Sequence, residues 1–251
     1  MSRVPALAAA LLLPAVALAA GEKVSYPSGD EQVQGYLALP QGKGPFPALV
    51  VIHEWWGQNA WARDKADGFA AKGYAALAVD LYRGQVAEDP DTAHQLSRAL
   101  PTDRADRDLR AAFAYLASRK DVDPRRIGVI GWCMGGGFAL DLAEEAPVAA
   151  TVVYYGRLPT EPATVARLKG KGPVLGNFGA EDKGIPPESV REFGEKAKQA
   201  GVKTDLKVYP GAGHAFASDA NGPMAKAYRP DAAKDADART DAFLARTLAK
   251  R

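Results

Sequence analysis

Arg126-Ile127-Gly128-Val129-Ile130-Gly131-Trp132-Cys133-Met134-Gly135-Gly136-Gly137-Phe138-Ala139-Leu140-Asp141-Leu142-Ala143 passes from a β-rich apolar run through Gly-x-Cys-x-Gly into a helix-forming run. This is the strand, tight turn and helix of a nucleophile elbow, with cysteine where serine is commoner. Glycines two positions to either side leave room where strand and helix cross. The turn also sets the thiol at a helix N-terminus, whose dipole favours thiolate over thiol. The competing reading of the same residues is an inert, packed cysteine behind a glycine-rich helix contact.

Outward from this segment, strand-length apolar stretches alternate with helix-period stretches, as in a mostly parallel sheet with helices on both faces. Val33 to Leu39 alternates and ends at Pro40, predicting a half-exposed strand near the sheet edge. Ala48–Ile52, Ala75–Val79, Ile127–Ile130, Ala149–Tyr154 and Pro173–Phe178 are continuously apolar, which predicts strands covered on both faces. Asp205–Tyr209 is the expected last strand. Ala105, Leu109, Ala112, Phe113 and Leu116 share one helical face, and helices are also expected over 91–100, 187–200 and 231–249.

A chain of 251 residues without repeats, low-complexity tracts or a Pro/Gly linker fits one α/β domain. With 32 Lys plus Arg against 30 Asp plus Glu, it lacks the basic surplus of a nucleic-acid binder. One cysteine and three separated histidines exclude internal disulfides and a Cys/His zinc cluster. Residues 1–19 combine Arg3, an apolar run from Val4 to Leu18 and Ala17-Leu18-Ala19, the pattern of a secretory signal cleaved after Ala19. The apolar run of about 15 residues is short for a membrane span. The expectation is an exported protein, periplasmic or secreted, with a single domain over 20–251 and no stable span after cleavage. A lone thiol is unusual in such a compartment, so Cys133 demands a role.

Partners for that thiol follow in the chain. Asn177-Phe178-Gly179-Ala180-Glu181-Asp182 leaves a buried strand for a polar loop, with Asp182 as the candidate acid and Glu181 as its rival. Tyr209-Pro210-Gly211-Ala212-Gly213-His214 leaves the next strand for a small-residue loop that brings His214 to the same sheet edge. The order nucleophile, acid, histidine suits such an elbow, whereas His53 and His94 precede it.

Taken together, Val51-Ile52-His53-Glu54-Trp55-Trp56-Gly57, Val79-Asp80-Leu81-Tyr82-Arg83-Gly84, Gly131-Trp132-Cys133-Met134-Gly135-Gly136 and Gly213-His214-Ala215-Phe216-Ala217 resemble the dienelactone hydrolase (carboxymethylenebutenolidase-like) family of the α/β-hydrolase superfamily. The resemblance implies an α/β-hydrolase fold and hydrolysis of a lactone or activated ester, with a Cys133, His214, Asp182 triad. It also implies that Glu54 helps activate the thiol and that the N–H groups of Trp55 and Met134 form the oxyanion hole. Without that role Glu54 reads as a loop carboxylate paired with an arginine. Two arginines hold the substrate carboxylate in the best-known members. Here Arg83 stands one position early and position 218 is serine, so a dienelactone substrate is in doubt. Arg83, Tyr82 and Trp56 are the expected substrate contacts, and Trp55, Trp56 and Trp61 suggest an aromatic entrance. This chemistry requires a small-molecule substrate and neither metal nor organic cofactor. A non-catalytic exported binding protein and a single-thiol redox sensor are the alternative readings.

Overall fold

The computed structural model describes residues 20–249, so the expected signal segment lies outside the described residues. Eight strands form one sheet: β1 (Glu22–Ser28), β2 (Glu31–Ala38), β3 (Phe46–Ile52), β4 (Ala75–Val79), β5 (Val122–Trp132), β6 (Ala150–Tyr154), β7 (Val174–Gly179) and β8 (Thr204–Tyr209). The helices are α1 (Ala60–Ala71), α2 (Pro90–Arg98), α3 (Thr102–Ser118), α4 (Met134–Glu145), α5 (Pro162–Ala166), α6 (Pro187–Ala200) and α7 (Pro230–Thr247). Strand order is β1-β2-β4-β3-β5-β6-β7-β8. β2 pairs antiparallel with both β1 and β4, and every other pairing is parallel. This is the α/β-hydrolase arrangement, with helices on both faces as expected.

The continuous apolar strands are explained by two cores. Val50, Ile52, Val129 and Val153 pack with Leu109 and Leu116 of α3, Leu140 of α4 and Phe193 of α6. Their chain neighbours Leu49, Val51, Ile130 and Val152 point the other way, toward Phe69 of α1 and Phe243 and Leu244 of α7. A strand with a helix layer on each side has no polar face to present.

Three elements escape the sequence pattern, the five-residue α5 among them. The sheet edges are β8, although Asp205–Tyr209 reads as the last central strand, and β1, one strand beyond the expected edge; of the seven residues of β1 only Tyr26 and Ser28 are buried. Polar edges of this kind discourage pairing with other chains but erase the periodic signal. Helix α1 carries Gly68 and few large apolar residues, and its start is set by Asn59, whose side chain accepts from the Ala62 N–H at 3.1 Å.

The turn between β5 and α4 is the tightest place in the molecule. Cys133 sits there at φ 54° and ψ −118°, a conformation that a non-glycine residue adopts only under constraint. A Cβ on Gly131 would run into the carbonyl of Gly135, and one on Gly135 would lie 2.5 Å from the carbonyl oxygens of both Ile52 and His53. The glycine spacing therefore lets the first turn of α4 press onto the end of β3. That contact carries the segment after β3 to the side of the thiol. Among the described residues no helix is long and apolar enough to cross a membrane.

Candidate active site

Five strands deliver side chains to one end of the sheet, the carboxyl end, where open α/β sheets place their ligands. Cys133 follows β5 directly, Glu54 lies two residues past β3, Tyr155 one past β6, Asp182 three past β7 and His214 five past β8. His214 Nε2 is 3.0 Å from Cys133 Sγ. His214 Nδ1 is 2.7 Å from Asp182 Oδ2. The other Asp182 oxygen accepts from the N–H groups of Gly184 and Ile185 at 2.9 and 3.1 Å. Asp182, which meets His214, is buried, whereas Glu181 is exposed.

The electrostatics follow from these contacts. Burial alone would raise the Asp182 carboxyl, but His214 and the two loop amides hold it below the usual aspartate range. Burial would likewise lower His214, yet the hydrogen bonds to Asp182 and Cys133 outweigh it and push the imidazole up to about 10. Between these two partners the ring favours its protonated form.

Glu54 is fully buried. Its carboxyl accepts from Tyr155 OH at 3.1 Å and from Ser218 Oγ at 2.6 Å, rather than pairing with an arginine. Burial pushes this carboxyl up, against the pull of those two donors. The backbone at Glu54 is pinned by His53, which burial holds neutral. His53 Nε2 accepts the Leu81 N–H at 3.3 Å, so the ring proton is on Nδ1 and is donated to the Glu54 carbonyl at 2.5 Å. The histidine set aside by chain order thus ties the end of β3 to the end of β4.

A cavity of about 180 Å³ opens beside the thiol, lined by Glu54, Trp55, Trp56, Cys133, His214, Ala215 and Met224. Tyr82 stands close by, its OH 3.3 Å from Met134 Sδ. Trp61 is elsewhere: it packs edge-on against Trp132, beneath the turn, and does not line the cavity. His94 is exposed, as expected of a polar helix, with its ring edge-on to Trp55 at 4.7 Å.

Arg83, an expected substrate contact, is likewise not brought to the cavity. Asp80 accepts from the N–H groups of Tyr82 and Gly84, which curls the loop and turns Arg83, at φ 56°, toward the β1–β2 hairpin. There its guanidinium lies 2.7 Å from buried Asp108 and 2.6 Å from Glu31. The ion pairs win because a buried carboxylate without a cation is costly.

Tyr155, Ala215, Ser218 and Met224 complete the site without having been assigned to it from sequence. Tyr155 was legible in principle, since it ends a buried parallel strand, the position from which every other site residue departs. Both Tyr155 and Ala215 have positive φ, 38° and 62°, as Cys133 does, and such backbone outliers gather at functional sites.

An eight-stranded α/β sheet with a Cys, His and Asp chain at its carboxyl end defines an α/β-hydrolase. The family model described as the dienelactone hydrolase family matches residues 33–248, and the chain belongs to that family. It is 35% identical over 232 residues to a Methylorubrum extorquens protein named "Putative carboxymethylenebutenolidase", covering 87% of this chain and 78% of that one. It is 31% identical over 231 residues to protein usf of Aquifex pyrophilus, covering 89% and 97%. Among solved structures, a dienelactone hydrolase-like promiscuous phosphotriesterase from metagenomic libraries superposes with a TM-score of 0.81 at 26% identity, covering 90% of this chain and 98% of that one. The protein is a carboxylic ester hydrolase.

Removing Arg83 tests its structural role. Arg83→Ala is expected to lower the unfolding free energy by about 2 kcal/mol in urea titration, because Asp108 stays buried with only Ser28 and Arg107 beside it. KM for a neutral ester should stay unchanged; a large rise in KM with intact stability would return Arg83 to the substrate.

Proposed function

We propose that the protein hydrolyses a lactone or activated ester through a thioester on Cys133, and the unbroken line from Sγ through His214 to Asp182 carries this reading. The thiolate attacks the carbonyl carbon, forming a C–S bond while the π electrons move to oxygen. The N–H of Met134 opens α4 and so has no intrahelical acceptor. With the Trp55 N–H it receives the oxyanion, each donor contributing roughly 3 kcal/mol to the transition state. Collapse breaks the C–O bond, and the leaving oxygen takes its proton from His214 Nε2. The neutral imidazole then draws a proton from water, the hydroxide attacks the thioester, and the C–S bond breaks to restore thiolate and imidazolium. Asp182 holds the ring in register and supports its positive charge. Where the thiol still holds its proton, a protonated His214 cannot take it, and Glu54 at the cavity wall serves as the helper base once substrate displaces its Ser218 and Tyr155 contacts.

Cys133→Ala is expected to lose roughly 10³-fold or more in kcat/KM on a responsive lactone or aryl ester. Mass spectrometry of the quenched wild-type reaction should show the acyl group on Cys133. Wild-type turnover in the alanine variant would sink the mechanism.

The proton held by His214 sets the alkaline limit. A base raised by its partners keeps its proton until pH climbs through its own value, so the imidazolium persists to about pH 10, while the stabilisation it brings is complete below 6.5, declines as pH rises from there and is gone above about 10. In Asp182→Asn the first of the supporting contacts is weakened, and NMR titration of the ring should show its midpoint falling by at least about one unit toward the ordinary value near 6.5. An unmoved midpoint would refute the support by Asp182.

Export belongs to the same proposal, supported by the charged start, apolar run and small residues of 1–19. Expression of the full chain in a bacterial host should yield a periplasmic or secreted form whose N-terminal sequencing begins at Ala20. A cytosolic protein retaining Met1 or Ser2 would contradict it.

A further inference from the structure

The cavity beside the thiol has a charge and a size, and both restrict what enters. Its walls are the rings of Trp55 and Trp56, Met224 and Ala215, with Glu54 the one carboxyl among them. Among the described residues no lysine or arginine lines it. Arg83 is held in its ion pairs behind the Asp80 turn, and at position 218 a serine hydrogen-bonds Glu54. Lys65, whose charge reaches Glu54, lies over the Trp61 and Trp132 rings with Asp237 at 3.9 Å, outside the lining.

With one proton shared between Cys133 and His214, the charge of the pair does not depend on which atom holds it. Cys133 and His214 sum to zero whether the proton is on sulfur or nitrogen. Asp182 contributes one negative charge, and Glu54 contributes one or none. The site is therefore negative by at least one charge in every such state, and both imidazole nitrogens are already engaged. An incoming carboxylate finds no free cation here and would lose its hydration uncompensated. The volume favours a small acyl group at the thiol, although the mouth is open to solvent. About 180 Å³ is slightly more than an apolar cavity of about 150 Å³ that holds benzene.

Resting on the thiol acyl-transfer reading above, we infer that this site takes uncharged esters and lactones whose acyl part is compact and apolar, about the size of a benzene ring, and rejects the same acyl part when it carries a carboxylate. The 4-nitrophenyl esters of terephthalamic and terephthalic acid match in shape and differ in charge. The amide is expected to show a kcat/KM at least tenfold higher, after division by each ester's rate with free glutathione. The 4-nitrophenyl ester of biphenyl-4-carboxylic acid should fall at least tenfold below that of benzoic acid. A charge effect below twofold, or a biphenyl ester as good as the benzoate, overturns the corresponding half of the inference.

Alkylation of Cys133 separates this from the mechanism itself. Iodoacetamide should react at least tenfold faster than iodoacetate, again relative to glutathione. Should Cys133→Ala retain full esterase activity, the thioester reading fails while the alkylation ratio still decides the charge selectivity; a ratio near one would defeat it.

Discussion

Cys133 occupies a backbone conformation that costs energy, and the surrounding structure exists in the form that makes it unavoidable. Its N–H donates to the Tyr154 carbonyl at 3.0 Å, and its carbonyl accepts from Gly136 at 3.1 Å, so both sides of the residue are committed to neighbouring elements. Relaxing the turn would lift α4 from the ends of β3 and β5. The same contact that strains the cysteine sets where Glu54 and Trp55 lie, since Gly135 rests against the carbonyls of Ile52 and His53. The thiol, the loop after β3 and the start of α4 are thus one unit of close-packed backbone, and the histidine and aspartate loops dock onto it.

Around that unit, burial and pairing act in opposition and the local partners decide the outcome. Asp182 and His214 are both desolvated, yet each remains in its charged form because it faces the other and a set of fixed donors. Glu54 is desolvated more completely and has only hydroxyl donors, so there burial prevails. His53, with a carbonyl and an amide as partners, stays neutral. Four ionisable groups within one end of the sheet therefore hold different protonation preferences, which is the condition for dividing proton-transfer roles.

Much of this was legible in the residues themselves. The parallel strands stood out because two-sided burial demands uninterrupted Val, Ile, Leu and Ala, and the elbow because only glycine tolerates such backbone proximity. Cys133, Asp182 and His214 follow from chain order, each lying past the carboxyl end of a parallel strand. What escaped was decided by tertiary partners. Nothing in Asp80 to Gly84 discloses that Asp108, 25 residues further along in α3, claims Arg83. Trp61 reads like Trp55 and Trp56 until the fold puts it on the opposite side, against Trp132. The edge strand β1 and the alanine-rich α1 bury too few large residues to leave a period.

The contacts that make the site span the chain: 81 residues separate Cys133 from His214, and 164 separate Glu54 from Ser218. Closing loops of that length has to precede any reward from the contacts they bring together. The catalytic end of the sheet is consequently complete only when the whole sheet through β8 has formed. Recovery of enzyme activity would then report completion of the whole sheet through β8, whereas far-ultraviolet signals would report only its earlier, more local helices.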